Sequence, residues 1–154
     1  LPMSATLGMN YDITKKLHWG GDLTWTEWST VDAITFNMAQ PKTVNLGWHD
    51  TCRAGFGFGY DFLEDWSVMA GYAYDWDPSH KNKGTTMLPA GDRHVISMGL
   101  GYCWGNWDFA LNYGIVIMEA ETRMITDPYS HTSYRFSTDN SFAHCFGGTI
   151  SYHF

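Results

Sequence analysis

The chain has 154 residues and a formal net charge of −7 at pH 7, which argues against a nucleic-acid partner because phosphate backbones attract basic surfaces. It contains no run of about 18 apolar residues, so no membrane-spanning helix is predicted. Aromatic residues make up 17% of the chain, yet the mean hydropathy is only −0.28. A transmembrane β-barrel combines these properties, because its strands alternate apolar and polar side chains.

Seven segments show an alternation of period two, which predicts β-strands. In chain order they cover residues 5–13, 17–26, 51–62, 66–75, 95–104, 107–117 and 141–154. In the last one, Phe142, Phe146 and Ile150 share one face, and small or polar residues fill the other. The polar faces carry mostly Gly, Ser, Thr, Asn and Asp, whereas a soluble barrel exposes Lys and Glu. The pattern predicts an all-β fold, an antiparallel transmembrane β-barrel.

Aromatic residues gather at the ends of these segments, where a barrel carries its interfacial girdles. The residues are Trp19, Tyr60, Trp66, Tyr74, Trp104, Trp107 and Tyr152.

The connections alternate between short turns and long loops, and this sets the topology. Short turns follow the first, third and fifth segments, and long loops follow the second, fourth and sixth. In outer-membrane barrels the short turns face the periplasm, and single-chain bacterial barrels have an even strand count. Seven strands with the first starting outside therefore predict a larger barrel. Residues 1–154 are expected to be the C-terminal portion of one barrel domain, with upstream strands outside this chain.

Several motifs resemble the C-terminal half of the outer-membrane long-chain fatty acid and hydrocarbon transporter family (FadL/TodX-like). They are LTWTEWS (23–29), WHDTCR (48–53), WSVMAGYAYD (66–75), LPAGDRH (88–94) and the terminal YHF (152–154), in order along essentially the whole chain. The resemblance implies a fourteen-stranded monomeric barrel plugged by an N-terminal hatch, located in the Gram-negative outer membrane.

The implied function is passive uptake of long-chain fatty acids or other hydrophobic molecules through an apolar tunnel, without a cofactor. Outer-membrane lipid would surround the barrel. A structural or scaffold barrel without transport is the alternative. An enzyme is not expected, because the lumenal Ser97 and Ser151 have no Gly-x-Ser-x-Gly context.

Three charged residues are candidates for the lumen site. Asp75 ends the GYAYD stretch, and the resemblance places the matching aspartate near the hatch; a solvated lumen carboxylate is the other interpretation. Arg53 is expected to pair with Asp61 or Asp75, or to bind a ligand carboxylate through its planar fork. Arg93, next to Asp92, is expected to anchor the re-entering loop.

Apolar candidates on the lumen side are Met69, Met118, Trp28 and Val116. They would either line a tunnel for hydrophobic ligands or pack against the hatch. Members of the family often carry a basic residue before the third strand; here residues 44–46 are Val, Asn and Leu, and Lys42 is displaced.

No metal site is predicted, because His18, His144 and His153 form no group, and the last two fall on opposite faces. No disulfide is predicted either. Cys103 and Cys145 share the lumen face two strands apart, roughly 10 Å, and Cys52 points the other way.

Overall fold

The computed structural model describes residues 1–36, 42–79, 91–126 and 132–154. Its strands are β1 (Ser4–Asp12), β2 (Leu17–Thr26), β3 (Ala33–Phe36), β4 (Lys42–Asn45), β5 (Thr51–Asp61), β6 (Trp66–Asp75), β7 (Arg93–Trp104), β8 (Trp107–Met118), β9 (Glu121–Thr126), β10 (Ser133–Thr138) and β11 (Ser141–Tyr152). A 3-10 helix covers Trp28–Thr30. None of the described segments forms a helix that is long and apolar enough to span a membrane.

Seven of the strands form one antiparallel sheet in the order β1-β2-β5-β6-β7-β8-β11. These are the seven segments that alternation predicts, and each observed boundary lies within two residues of the expected one. Within this sheet each strand pairs with the next sheet strand along the chain, and the short strands β3, β4, β9 and β10 lie in the long connections. The all-β antiparallel prediction is therefore confirmed.

Two of the long connections contain hairpins that the sequence did not predict. β3 pairs with β4, and β9 pairs with β10, in segments that were expected to be loops. The expectation was wrong because strands of four to six residues show too few alternations to stand out from loop composition. The β9–β10 hairpin brings charged residues back toward the sheet.

Cross-strand register keeps every polar face on the same side of the sheet. Met69 lies opposite Gly99, and Gly99 lies opposite Asn112, so small and polar residues oppose one another across neighbouring strands. The other face of these seven strands carries no Asp, Glu, Lys or Arg. Leu111 and Phe146 on that face are 67% and 81% exposed. The sheet is a single layer, and its apolar face requires lipid as its solvent.

Pairs of contacting aromatic rings mark both ends of the apolar face. At the end with short turns, Trp66 contacts Tyr102 with ring centroids 4.5 Å apart, and Trp107 contacts Tyr152 at 4.8 Å. At the other end Tyr74 packs against Trp76 at 4.8 Å. Tyr74 pairs with His94, and Trp66 pairs with Tyr102. The eight positions from 94 to 102 span about 26 Å along the strand, which suits a tilted strand in a thin bilayer.

The Gly105-Asn106 turn joins β7 to β8 in two residues. Gly105 has φ = 59°, which glycine adopts without the steric cost that other L-residues meet. Trp104 and Trp107 flank the turn and pair directly. The turn therefore fixes the β7–β8 register that the lumen rows depend on.

Met98 lies midway between the two aromatic levels on the apolar face and is 57% exposed. We expect Met98→Arg to lower the free energy of unfolding from vesicles by about 2–4 kcal/mol, since an arginine at the bilayer midplane loses its hydration. Ser97→Arg, one residue away on the polar face, is the control and should cost clearly less. Equal losses in a urea titration would contradict the assignment of the two faces.

Candidate lumen site

Polar-face residues align in rows across the strands, and the charged candidates share one row. Arg53 lies opposite Asp75, Asp75 opposite Arg93, and Arg93 opposite Met118. This row sits at the end of the sheet that carries the long connections. Arg93 donates from Nη1 to Oδ2 of Asp75 at 3.4 Å, and both side chains are about one-third exposed. The row thus brings together the three charged residues that the sequence singled out.

Arg53 pairs with neither of its expected partners. Its Nη1 lies 3.9 Å from Oδ1 of Asp22, and the Arg53 side chain remains 47% exposed. Asp61 is eight positions away on the same strand, about 26 Å, so it is out of reach. Asp75 is held by Arg93 instead. Asp22 reaches Arg53 because its cross-strand partner is Gly55, which leaves room for the carboxylate to lie along the wall.

Asp61 belongs to a separate cluster at the end with short turns. His18 Nδ1 lies 2.7 Å from Oδ1 of Asp12, and its Nε2 lies 3.1 Å from Oδ2 of Asp61. The imidazole thereby bridges β1 to β5 across β2. This cluster connects β1, β2 and β5. Asp61 is therefore bound to His18 and not to Arg53.

The apolar candidates occupy three different settings. Met69 lies between Gly59 and Gly99 near the middle of the polar face, and Met118 lies in the row of Arg93, between Arg93 and Ser141. Val116 is also on the polar face, opposite Val95. Trp28 lies in the 3-10 helix beyond β2, where its ring meets Trp48 edge to face at 5.3 Å. Its direction is therefore not set by strand alternation.

The described residues 46–50, directly before β5, include no Lys or Arg that could bind a ligand carboxylate. Leu46 is fully buried, and its N–H donates to the carbonyl of Asp32 at 2.8 Å. The Lys42 side chain lies outside the described residues, as do positions 88–90 of the LPAGDRH stretch.

Histidines and cysteines follow the expected faces. His144 contacts the Tyr113 hydroxyl at 2.8 Å on the apolar face, and His153 contacts Asp108 at 2.5 Å on the polar face. All three cysteines are free. The register places Cys103 level with Ser151, six positions from Cys145. The two thiols are thus much farther apart than the expected 10 Å. Across the described ranges, no group of three His, Cys, Asp or Glu residues is placed to hold a metal ion.

A buried ion cluster that the sequence did not reveal lies at the end with long connections. Arg123 of β9 is 6% exposed and donates from Nη2 to Glu121 Oε2 at 2.6 Å and to Asp77. The Asp77 carboxylate also accepts from the Ser79 hydroxyl at 2.5 Å and from the Gly91 N–H at 2.8 Å. The cluster joins the β9–β10 hairpin to the connection after β6.

Backbone hydrogen bonds tie the same connections together. The His49 N–H donates to the Pro78 carbonyl, and the Glu119 N–H donates to the Asp92 carbonyl, both at 2.9 Å. The side chain of Asp92 accepts from the Tyr74 hydroxyl and from the Asp77 N–H. Asp92 and Arg93 therefore hold the re-entering loop through different partners, since Arg93 binds Asp75.

The cluster controls the ionisation of Asp77. Burial pushes the pKa of its carboxyl upward, but hydrogen bonds from Ser79 and Gly91 and the charge of Arg123 outweigh it, so the pKa lies below its ordinary value of 3.8. Asp50 behaves similarly: hydrogen bonds from the hydroxyl and N–H of Ser29 lower its pKa. Both carboxylates are charged at neutral pH.

No sequence signal identifies the partner of Arg123. Asp77 is 46 residues away, and both residues lie in segments without strong alternation. Only the folding of the hairpin back over the sheet brings them together.

We expect Arg123→Gln to loosen the hairpin, because it leaves the buried carboxylates of Asp77 and Glu121 without a cation. The free energy of local opening at β9–β10, measured by hydrogen exchange, should fall by about 3–5 kcal/mol. Arg135→Gln, on the exposed face of the same hairpin, is the matched control and should change little. Similar effects of both substitutions would mean that the cluster does not anchor the hairpin.

The same cluster should loosen in acid. A carboxyl group with a lowered pKa in the folded state stabilises that state above its unfolded pKa, and this contribution is lost as the pH falls through the folded value. Exchange protection around Gly91 should therefore hold from pH 8 to pH 5 and drop below about pH 3.8. Asp77→Asn should flatten this dependence, and Asp139→Asn, an exposed control, should keep it. An unchanged profile in Asp77→Asn would refute the role of Asp77.

Comparison with known proteins matches the geometry described above. A family model for outer membrane protein transport proteins (OMPP1/FadL/TodX) covers residues 1–154. A long-chain fatty acid transport protein of Escherichia coli O6:H1 is 26% identical over 135 residues, which is 86% of this chain and 30% of that protein. A putative outer membrane protein of Neisseria meningitidis serogroup B is 30% identical over 112 residues, which is 66% of this chain and 24% of that protein.

The fold agrees with a solved structure. The crystal structure of a Pseudomonas aeruginosa FadL homologue superposes with a TM-score of 0.86 at 22% identity, covering 98% of this chain and 35% of the other. The chain thus spans about one-third or less of the length of the relatives it matches. We conclude that it belongs to the OMPP1/FadL/TodX family of outer membrane transport proteins and crosses the outer membrane of a Gram-negative bacterium.

Proposed function

We propose that the protein takes up hydrophobic molecules passively through the barrel lumen, with long-chain fatty acids or related hydrocarbons as its ligands. Relatives named long-chain fatty acid transport protein support this substrate class. Movement down a gradient needs no catalytic group and no cofactor. Burial of an acyl chain at about 25 cal/mol per Å² of apolar surface is sufficient to hold it without covalent chemistry.

The seven strands would form one wall of a larger barrel, with residues 1–154 as its C-terminal portion. Among the described strands, β1 and β11 are the outer members of the sheet. Their outward N–H and C=O groups need partners in hydrocarbon. Further strands would supply these partners, and a hatch in the lumen would narrow the path for a ligand.

The observation that carries the proposal is the state of Arg53. It lies on the lumen wall, half exposed, with its nearest carboxylate at 3.9 Å, and Asp75 is already bound to Arg93. Its donors are therefore available to a ligand carboxylate. Met69 lies six residue positions from the row of Arg53, about 20 Å along the strand, where the tail of a long acyl chain would pass.

Asp75 and Arg93 would act on the ligand indirectly. Their mutual hydrogen bond holds the Asp75 carboxylate and so keeps it away from the donors of Arg53. Met118, in the same row beside Arg93, and Trp28, in the 3-10 helix after β2, would offer apolar contacts near the entrance.

We expect Arg53→Gln to weaken the binding of a straight-chain fatty acid by about 1.5–3 kcal/mol, the contribution of hydrogen bonds to a charged group. Binding of the alkane of equal carbon number should hardly change. Arg135→Gln, on the exposed face of the β9–β10 hairpin, is the control for the loss of a positive charge. Binding is measured by titration of the full gene product in detergent-free nanodiscs.

Equal losses for acid and alkane would show that Arg53 has a structural role. A wild-type protein that transports neither compound into proteoliposomes would favour the scaffold alternative and refute transport.

A further inference from the structure

Side chains on the lumen wall lie flat over glycines of the neighbouring strand. Asn112 opposes Gly99, Ser97 opposes Gly71, and Asn10 opposes Gly20. A methyl group built on each of these glycines would come within 3.0 Å of the opposing side-chain oxygen: 2.8 Å at Gly99, 3.0 Å at Gly71 and 2.6 Å at Gly20. The polar side chains thus occupy the space that a larger residue would need.

Gly99 receives side chains from both of its neighbours. Its built methyl would lie 2.8 Å from Asn112 Oδ1 and 3.3 Å from Met69 Cε. Met69 and Asn112 flank Gly99 on β6 and β8 and converge over it. This pair lines an open concave region of about 780 Å³ on the polar face, together with Gly71 and Ser97.

We propose that Gly99 determines which hydrophobic ligands pass, because it lets Met69 and Asn112 lie against the wall and so sets the free width of the lumen. The inference rests on the proposed transport function and deepens it. It places selection by ligand bulk at the middle of the wall, whereas recognition of a head group takes place at Arg53, near the end with long connections. Straight chains tolerate a narrower passage than branched or ring-bearing ones.

The nature of the contacts makes this position testable without unfolding the barrel. At Gly99 the close atoms are the far ends of two flexible side chains, whereas the nearest backbone atom, the Leu111 carbonyl oxygen, is 3.6 Å away. A methyl group at Gly99 would therefore turn Met69 and Asn112 into the lumen and leave the ladder in place. At Gly57 the closest atom is the Ala70 carbonyl oxygen, at 3.1 Å, so a methyl group there would strain the sheet instead.

The experiment compares Gly99→Ala with Gly147→Ala in the full gene product, reconstituted into proteoliposomes. Gly147 lies in the same row beyond Asn112, and its built methyl would meet only Asn112 Cβ, at 4.0 Å. Uptake is measured for a straight-chain fatty acid and for a ring-bearing fatty acid of equal carbon number. We expect Gly99→Ala to lower the ratio of ring-bearing to straight-chain uptake about tenfold, the usual discrimination of one misplaced methylene. Gly147→Ala should leave the ratio unchanged.

A rescue variant separates width from general damage. Gly99→Ala combined with Asn112→Ala removes a side chain that the new methyl displaces, so the uptake ratio should return toward that of the wild type. An unchanged ratio in Gly99→Ala, equal losses for both ligands, or no rescue would overturn the inference while leaving transport intact. Absence of uptake by the wild type would refute the proposed function, and the inference with it.

Discussion

A backbone N–H or C=O group without a partner costs several kcal/mol in hydrocarbon, and the antiparallel ladder satisfies these groups in the sheet, apart from the outward edges of β1 and β11. The ladder also fixes which side chains stand side by side. Because directly opposed residues share a face, the seven alternating strands in register produce one face without Asp, Glu, Lys or Arg and one polar face. Lipid replaces the missing hydrophobic core, and the thickness of the apolar band follows from the spacing of Tyr74 and Tyr102.

The same register explains how the wall can be polar and thin at once. Glycines oppose polar residues, so side chains recline along the wall instead of projecting into the lumen. Asp22 over Gly55 is one result, and it draws a carboxylate toward Arg53. Asn112 and Met69 over Gly99 are another. Charge selection and selection by bulk would thus arise from one device, placed at different heights of the barrel.

The long connections follow a different physical rule. They lie outside hydrocarbon, so their backbone is held by hydrogen bonds between loops and by the buried ions of Asp77, Glu121 and Arg123. A buried charge stabilises such an arrangement only while its partners remain in place. The mouth of the barrel is therefore organised by a few charged contacts, whereas the wall is organised by many equivalent hydrogen bonds. Changes at the mouth should leave the wall intact.

The sequence by itself determined the seven spanning strands, their two faces, the turn and loop ends and the family resemblance. Period-two alternation is local, and each strand carries it independently of its neighbours. Tertiary structure alone decided that Arg53 meets Asp22, that His18 bridges Asp12 and Asp61, and that Arg123 reaches Asp77 across 46 residues. Ion pairs depend on cross-strand register and on the space left by an opposing glycine. Neither can be read from one strand, because both are properties of pairs of strands brought together by folding.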